Sequence, residues 1–533
     1  MTSARLAFNS SRRSALKLVA SALVLMSTTA LTRPAFAQDA PAAEPFSFDA
    51  LTEAMRARST QPYDGAVPEL PPALQTLDYD RYRLIQFLSD KAKWADTNNP
   101  YRVQAFHMGW LFKEPVATFE VENGQATRMD FAPSDFEYHE AALSTAIGAS
   151  PWPGIAGFRI NYPLNKADKL DELVSFLGAS YFRALGRNNI YGLSARGLVI
   201  DSWVDGPEEF PRFSAFYLEK PATNGPLVLY ATLEGKSVTG AYRFEMTPGN
   251  DEVPETVVDV TARLFFRAAV TELGVAPLTS MFLYGDANRS GYDDYRPQVH
   301  DSNGLLVEAA DGEVMWRALN NPSVLGNSYI WQNQPKAFGL YQRDRRFESF
   351  QDAGAHYERR PSVRIEPVGE WGEGHIRLIE MPSDTEANDN IGAFWVPKAP
   401  IQAGDAREFR YRQRWGDLNP DPKGPIGYVE DTRAGRGGVA AVETADSLRK
   451  FVIDFRGGPL EGLEAAHPPE VVASISGGVL KVSTVSRIEA NGAWRTVLDV
   501  EVHGNELVEL KAFLVSEGRQ LTETWLYQWR ADA

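Results

Sequence analysis

An all-β protein is what this sequence predicts, on three observations. Apolar and polar residues alternate in short runs over most of the chain, tight-turn dipeptides separate those runs, and only two segments carry helical spacing. With 533 residues the chain exceeds one ordinary core, so two domains are expected.

In chain order, the first 37 residues are expected to be a leader. Arg12-Arg13 and Lys17 precede an apolar run from Leu18 to about Leu31, and Ala35-Phe36-Ala37 is a small-x-small cleavage site. The arginine pair has the look of a twin-arginine export signal, although Ala15 stands where that motif usually has Phe, which keeps Sec export open. Residues 38–46 are Pro/Ala-rich and read as a flexible lead-in. Ser47 to Arg58 predicts a short helix, with Phe48, Leu51 and Met55 on one face and Ser47 as its cap.

Strands follow. Ala117 to Phe131 alternates around Asn123-Gly124, a strong hairpin signal. Leu227 to Met246 predicts a second hairpin turning near Gly235, and Thr256 to Phe266 a further strand. Gly304 to Trp316 turns at Asp311-Gly312, and His375 to Met381 is another strand. Ala167 to Phe176 predicts a helix, because Leu170, Leu173, Val174 and Leu177 recur at helical spacing. Val396 to Pro400 marks a composition break, so a sandwich over 38–397, a linker at 398–404 and a second module at 405–533 are expected. Seven short strand candidates after that break, from Glu408–Trp415 to Thr522–Trp529, suggest an immunoglobulin-like sandwich. Asp417 to Val439, rich in Gly, Pro and Arg, is long for a plain connection and hints at function.

Composition narrows the chemistry. Lys and Arg number 54 against 70 Asp and Glu, a formal net charge of −16. Loss of residues 1–37 takes away five basic and no acidic side chains, leaving 49 against 70, or −21. That balance argues against nucleic acid as a partner. With no Cys, a thiol nucleophile, a disulfide frame and thiolate metal sites are excluded. No metal or cofactor is expected: the seven His show no ligand spacing, and Asp286-x-Asn288-x-Ser290-Gly291 starts like a calcium loop but has Pro297 where a bidentate Glu is required. Nucleophile-elbow, Walker and dinucleotide fingerprints are missing.

What remains is carboxylates among aromatics. Tyr295 to Gly304 and Glu386 to Trp395 are rich in Asp, Asn and Gly, and between them lie Trp316, Tyr341, Asp352, Tyr357, Arg360 and Trp371. Sugars bind on aromatic faces while carboxylates, amides and Arg take their hydroxyls. Glycosidic hydrolysis needs one protonated and one ionised carboxyl group. Such runs also end strands in any β protein, and residue pattern alone leaves both readings open.

Several runs carry a resemblance: Tyr181–Gly186, Ile190–Leu198, Arg296–Leu306, Arg360-Pro361-Ser362, Glu370–Gly374 and Glu386–Pro397. On them the chain resembles the periplasmic glucan biosynthesis proteins OpgG and OpgD (MdoG and MdoD), over essentially all of its length after the leader. A twin-arginine leader favours the OpgD branch. The resemblance implies a galactose-mutarotase-like β-sandwich followed by the immunoglobulin-like module, a periplasmic location, and action on the β-1,2-glucan backbone of osmoregulated periplasmic glucans. It implies an inverting endo-β-1,2-glucanase, with Asp389 as general acid and Asp301 as general base, and proton paths through bound waters. Tyr357, Arg360, Asp352, Glu386, Ser302 and Trp316 become substrate-binding candidates, and Arg433 and Arg436 candidates for a loop over the cleft. Asp389 then needs a raised pKa, from burial or from Glu386, while Asp301 stays ionised. Alternatives are a transglycosylase or cyclising enzyme at the same site, and a non-catalytic glucan-binding scaffold beside a membrane glucan synthase. Sugar epimerase chemistry would rest on fold alone. A homodimer is a further expectation.

Overall fold

The computed structural model describes residues 43–530, apart from 96–97, 205, 223–224, 440–446, 503 and 505–506. The expected leader therefore lies outside the described residues. Among the described residues, no helix is long and apolar enough to cross a membrane.

The architecture is all-β. A 16-stranded sheet and a 10-stranded sheet pack face to face, and their facing apolar residues form the main core. Phe158 and Phe182 of the smaller sheet meet Phe216 and Phe244 of the larger one edge to face, at 4.9 and 5.4 Å. The predicted helix forms over Phe48–Ser59, with the Ser47 hydroxyl accepting from Ala50 N at 3.1 Å, and lays Leu51 and Met55 on the outside of the large sheet. Asn123 and Gly124 both take positive φ in the turn between Ala117–Glu122 and Gln125–Arg128, as an Asn-Gly hairpin requires. The hairpin Leu227–Glu234 with Val238–Thr247 also forms as expected.

Ala167 to Phe176 is not a helix. Ile155–Lys166 and Lys169–Leu177 pair as an antiparallel hairpin. Val174 pairs with Ile160 but Glu172 with Asn161, so Leu173 is an extra, bulged residue. The bulge lets Leu173 and Val174 both point into the core, which imitates helical spacing in the sequence.

The boundary near residue 400 also differs. Ala406–Gly416, expected to open the second module, runs inside the large sheet between Thr256–Phe266 and Ser362–Pro367. Residues 398–404 turn back within the same sandwich, with Ile401 buried and bridged to Val270. The strand missing from the second module is supplied instead by Tyr428–Arg436, from the segment expected to be a loop. It heads a four-stranded sheet that packs on Thr524–Arg530, Leu507–Ser516 and Glu470–Ser476 around a second core. Thr524–Arg530 in turn pairs in parallel with Val314–Ala318. The large sheet thus runs unbroken from the first sandwich into the second, and alternation along a strand carries no information about which neighbour it joins.

Candidate active site

Asp301 follows the two-residue strand Val299–His300 and is buried. Its amide donates to Met281 O at 2.8 Å, and the neighbouring Ser302 hydroxyl meets Ser280 Oγ at 2.9 Å. Asp389 stands on the turn before the strand Ile391–Pro397. Its neighbour Asn390, also buried, accepts from Phe282 N at 2.8 Å and donates to Phe282 O at 2.9 Å and Met381 O at 3.0 Å. Consecutive residues, Met281 and Phe282, therefore hold the turns that carry the two aspartates. Behind them His300 stacks on Phe282 at 5.3 Å, and Gln342 donates to His300 O and Tyr357 O.

Each aspartate has its own arginine. Arg360 Nε lies 3.4 Å from Asp301 Oδ1, and Arg183 Nη2 lies 3.8 Å from Asp389 Oδ2. Arg360 is fixed by donation to Tyr191 O and by its position 5.2 Å from the Tyr357 ring. A Cβ at Gly192 would lie 3.0 Å from Arg360 Cβ and Cδ, so glycine there is what admits the arginine. Arg183 is aimed by its Nε bond to Ser194 Oγ at 2.6 Å.

Burial raises both carboxyl groups. Asp301 is pushed up to about 6, with Asp389 adding to the rise and Arg360 opposing it. Asp389 is raised too, by burial against the pull of Arg183 and Arg360. Its side chain is 33% exposed, so it stands at the cleft wall with one side open. The expected rise is present, but Glu386 does not cause it. Glu386 pairs instead with Arg296 at 2.7 Å. At neutral pH Asp301 is mostly ionised, although its shift is upward. One buried carboxyl near 6 beside a second raised carboxyl is an arrangement suited to paired acid and base chemistry.

The other candidates separate into three groups. Tyr357, Arg360 and Ser302 lie at Asp301. Asp352 and Glu386 meet at Arg296, which also binds Asp294 at 2.7 Å. Although burial pushes it up, the Asp352 carboxyl sits below its usual range, held there by the amides of Ala355 and Gly354 and by Arg296. Asp352 is thus a loop anchor.

Trp316, Arg433 and Arg436 are corrections. Trp316 is 2% exposed and covered by the Arg343 guanidinium at 3.6 Å, with the absent side chain of Gly304 leaving room for its indole. It belongs to the second core, which no sugar reaches. Trp316→Ala should cost about 3–5 kcal/mol of stability in urea unfolding, the range for emptying a large aromatic site. Arg433 lies on the strand Tyr428–Arg436, tied to Asp431, to Asp454 at 2.9 Å and to Asp286 at 3.3 Å. Arg436 ends that strand opposite Arg449. A strand fixed in a sheet replaces the expected loop. Asp286, first in the calcium-like run, is the Arg433 partner, while Asn288 caps Gly285 N at 2.8 Å.

Residues missed by sequence reasoning are Arg183, Asn390, Arg296 and Gln342. Arg183, Asn390 and Arg296 lie inside the runs that carry the resemblance, but the partners Ser194, Phe282 and Asp352 lie elsewhere in the sequence. Asp389 also borders a cavity of about 530 Å³ whose walls include Tyr181, Arg196 and Phe394.

Comparison with known proteins decides the family. The family model described as "Periplasmic glucan biosynthesis protein, MdoG" matches residues 46–529. The chain belongs to this family. "Glucans biosynthesis protein G" of Cereibacter sphaeroides is 52% identical over 532 residues, 97% of each chain. "Probable glucans biosynthesis protein D" of Shewanella oneidensis is 40% identical over 529 residues, 97% of this chain and 96% of the relative. Relatives of both branch names match along nearly their whole length. Membership ties this MdoG-family chain to glucan biosynthesis, in a family named for periplasmic proteins.

Proposed function

We propose that this protein is an inverting endo-β-1,2-glucanase that trims the backbone made in periplasmic glucan biosynthesis. The observation that supports this reading is the pair of aspartates with raised pKa values, pinned by adjacent residues and each faced by one arginine. Asp389, protonated, donates to the glycosidic oxygen as the bond to the leaving sugar breaks. Asp301, ionised, takes a proton from the water that attacks the anomeric carbon from the opposite face. Arg360 keeps Asp301 charged and oriented, and Arg183 positions Asp389. A neutral backbone suits a chain whose net charge after leader removal is −21, since that field repels anionic substituents.

The test is incubation of the protein with linear β-1,2-glucan. Short oligosaccharides with a matching gain in reducing ends are expected. Shortening or ring closure without that gain would assign transglycosylation to the same pair. An unchanged glucan that nevertheless binds the protein would assign the scaffold role and sink the glucanase.

A further inference from the structure

The cavity beside Asp389 does not end at the active site. It opens on the outer face of the 10-stranded sheet, where register places a row of side chains on one side. Tyr329 pairs with Arg377, which pairs with Phe394, and Trp331 pairs with His375, which pairs with Val396. Residues directly opposite in neighbouring strands share a face. The cavity wall at Phe394 and the rings of Tyr329 and Trp331 therefore lie on the same surface.

That surface is unusually aromatic and open. Trp203, Phe210, Tyr329 and Trp331 are 55, 53, 50 and 62% exposed, and they are four of the seven exposed aromatic side chains among the described residues. None is loose. Buried Arg377 donates to Ser202 O at 2.7 Å and Trp203 O at 3.3 Å, and lies 5.6 Å from the Tyr329 ring. This clamp holds Trp203 at φ 51°, a left-handed conformation that costs a tryptophan energy and is kept by its surroundings. His375 sits between Tyr329 and Trp331, 5.2 and 4.7 Å from their rings. Burial and Arg377 lower its pKa, so the support stays neutral.

The cavity floor adds a second, independent observation. Arg196 is 4% exposed, flanked at 4.9 Å by the rings of both Tyr181 and Phe210. One nitrogen, Nη1, meets Glu208 at 2.8 Å. Its Nε and Nη2 have no hydrogen-bond partner among the described residues. A buried guanidinium with unused N–H groups is costly unless an acceptor completes it. Sugar hydroxyls are such acceptors, and aromatic faces beside them are what sugar C–H faces stack on.

We infer that this face is an extended glucan-binding track: the cavity at Arg196 holds sugar units next to Asp389, and Trp203, Tyr329 and Trp331 carry the same chain outward to the sheet edge. The inference rests on the proposed β-1,2-glucan substrate and adds a length requirement to it. Two strand spacings across and about five residues along put Tyr329 roughly 20 Å from Asp389, with Trp331 one pleat repeat away. A short oligosaccharide at Asp389 does not reach these rings, while a long chain does. The outcome is preference for long glucan over the short products of its own cleavage.

The experiment measures dissociation constants for a long linear β-1,2-glucan and for the β-1,2-linked trisaccharide, in an Asp389→Asn background that prevents turnover. The long chain should bind more tightly. Tyr329→Ala and Trp331→Ala should each lower the long-to-short affinity ratio by roughly 3- to 10-fold, the scale of one aromatic contact. Tyr79→Ala, an exposed aromatic on a separate helix, is the control and should leave the ratio unchanged. Equal affinities in the parent, or a length preference that both platform variants retain, would overturn the track. A change in oligomeric state with no change in the ratio would also overturn it and make the face an interface between copies. Binding of neither glucan would instead overturn the substrate on which the track rests.

Discussion

Asp389→Asn is expected to lower turnover of linear β-1,2-glucan by a factor of about 10²–10⁴, the usual worth of a positioned general acid. Affinity for the glucan should stay within about threefold of the parent, because the amide keeps the shape of the side chain and its place at the cavity wall. The effect has a signature that a merely structural lesion lacks. A substrate with an acidic leaving group, such as a nitrophenyl glycoside of a β-1,2-linked oligosaccharide, departs without a proton. On that substrate the variant should lose far less of its bond-breaking rate. Equal losses on both substrates would remove Asp389 from the role of acid.

Asp301→Asn should inactivate the protein to a similar degree and yet make it more stable at neutral pH. Asp301 is buried, and its pKa in the folded chain is about 6 against a reference of 3.8. A folded-state pKa above the unfolded one means that the native carboxyl holds its proton better. The protonated form therefore favours folding at low pH, and that contribution is lost as pH rises from about 4 through about 6. At pH 7 the buried charge costs up to about 3 kcal/mol, the opposing pull of Arg360 being already contained in that pKa. The asparagine variant carries no such charge, so it should gain about 1–3 kcal/mol at pH 7 and little at pH 4 in denaturant titrations. The same group sets the acid limb of the parent's activity, which should fall as pH drops through about 6. A variant with the parent's stability at both pH values would mean that Asp301 is not strained by its burial. The trade of stability for a poised carboxyl is what a working site requires.

How far the sequence foretells this molecule differs from residue to residue. Asn123-Gly124 announces its hairpin because the turn chemistry is local. Ser47 announces its helix for the same reason. Leu173 and Val174 mislead because a one-residue bulge produces helical spacing within a strand. Ala406–Gly416 is legible as a strand, but its pairing with Thr256–Phe266 and Ser362–Pro367 is a long-range choice that no local pattern encodes. At the site, Asp301 and Asp389 are found through family motifs, since acidic turns by themselves are common. Trp316 is misplaced because nearness in sequence to a candidate says nothing of the Arg343 guanidinium that covers it. Arg183 and Asn390 lie in the runs that carry the family resemblance, yet their roles appear only with Ser194 and Phe282 beside them.

On the proposed mechanism, Asp301 and Asp389 act as base and acid in a single displacement, without a glycosyl-enzyme intermediate. The most direct test is proton NMR of the reducing end first released from linear β-1,2-glucan, read before the anomers equilibrate. The α-anomer is the expected initial product, because one attack by water inverts a β-linkage. An initial β-anomer would mean two displacements and a covalent intermediate, and would contradict it.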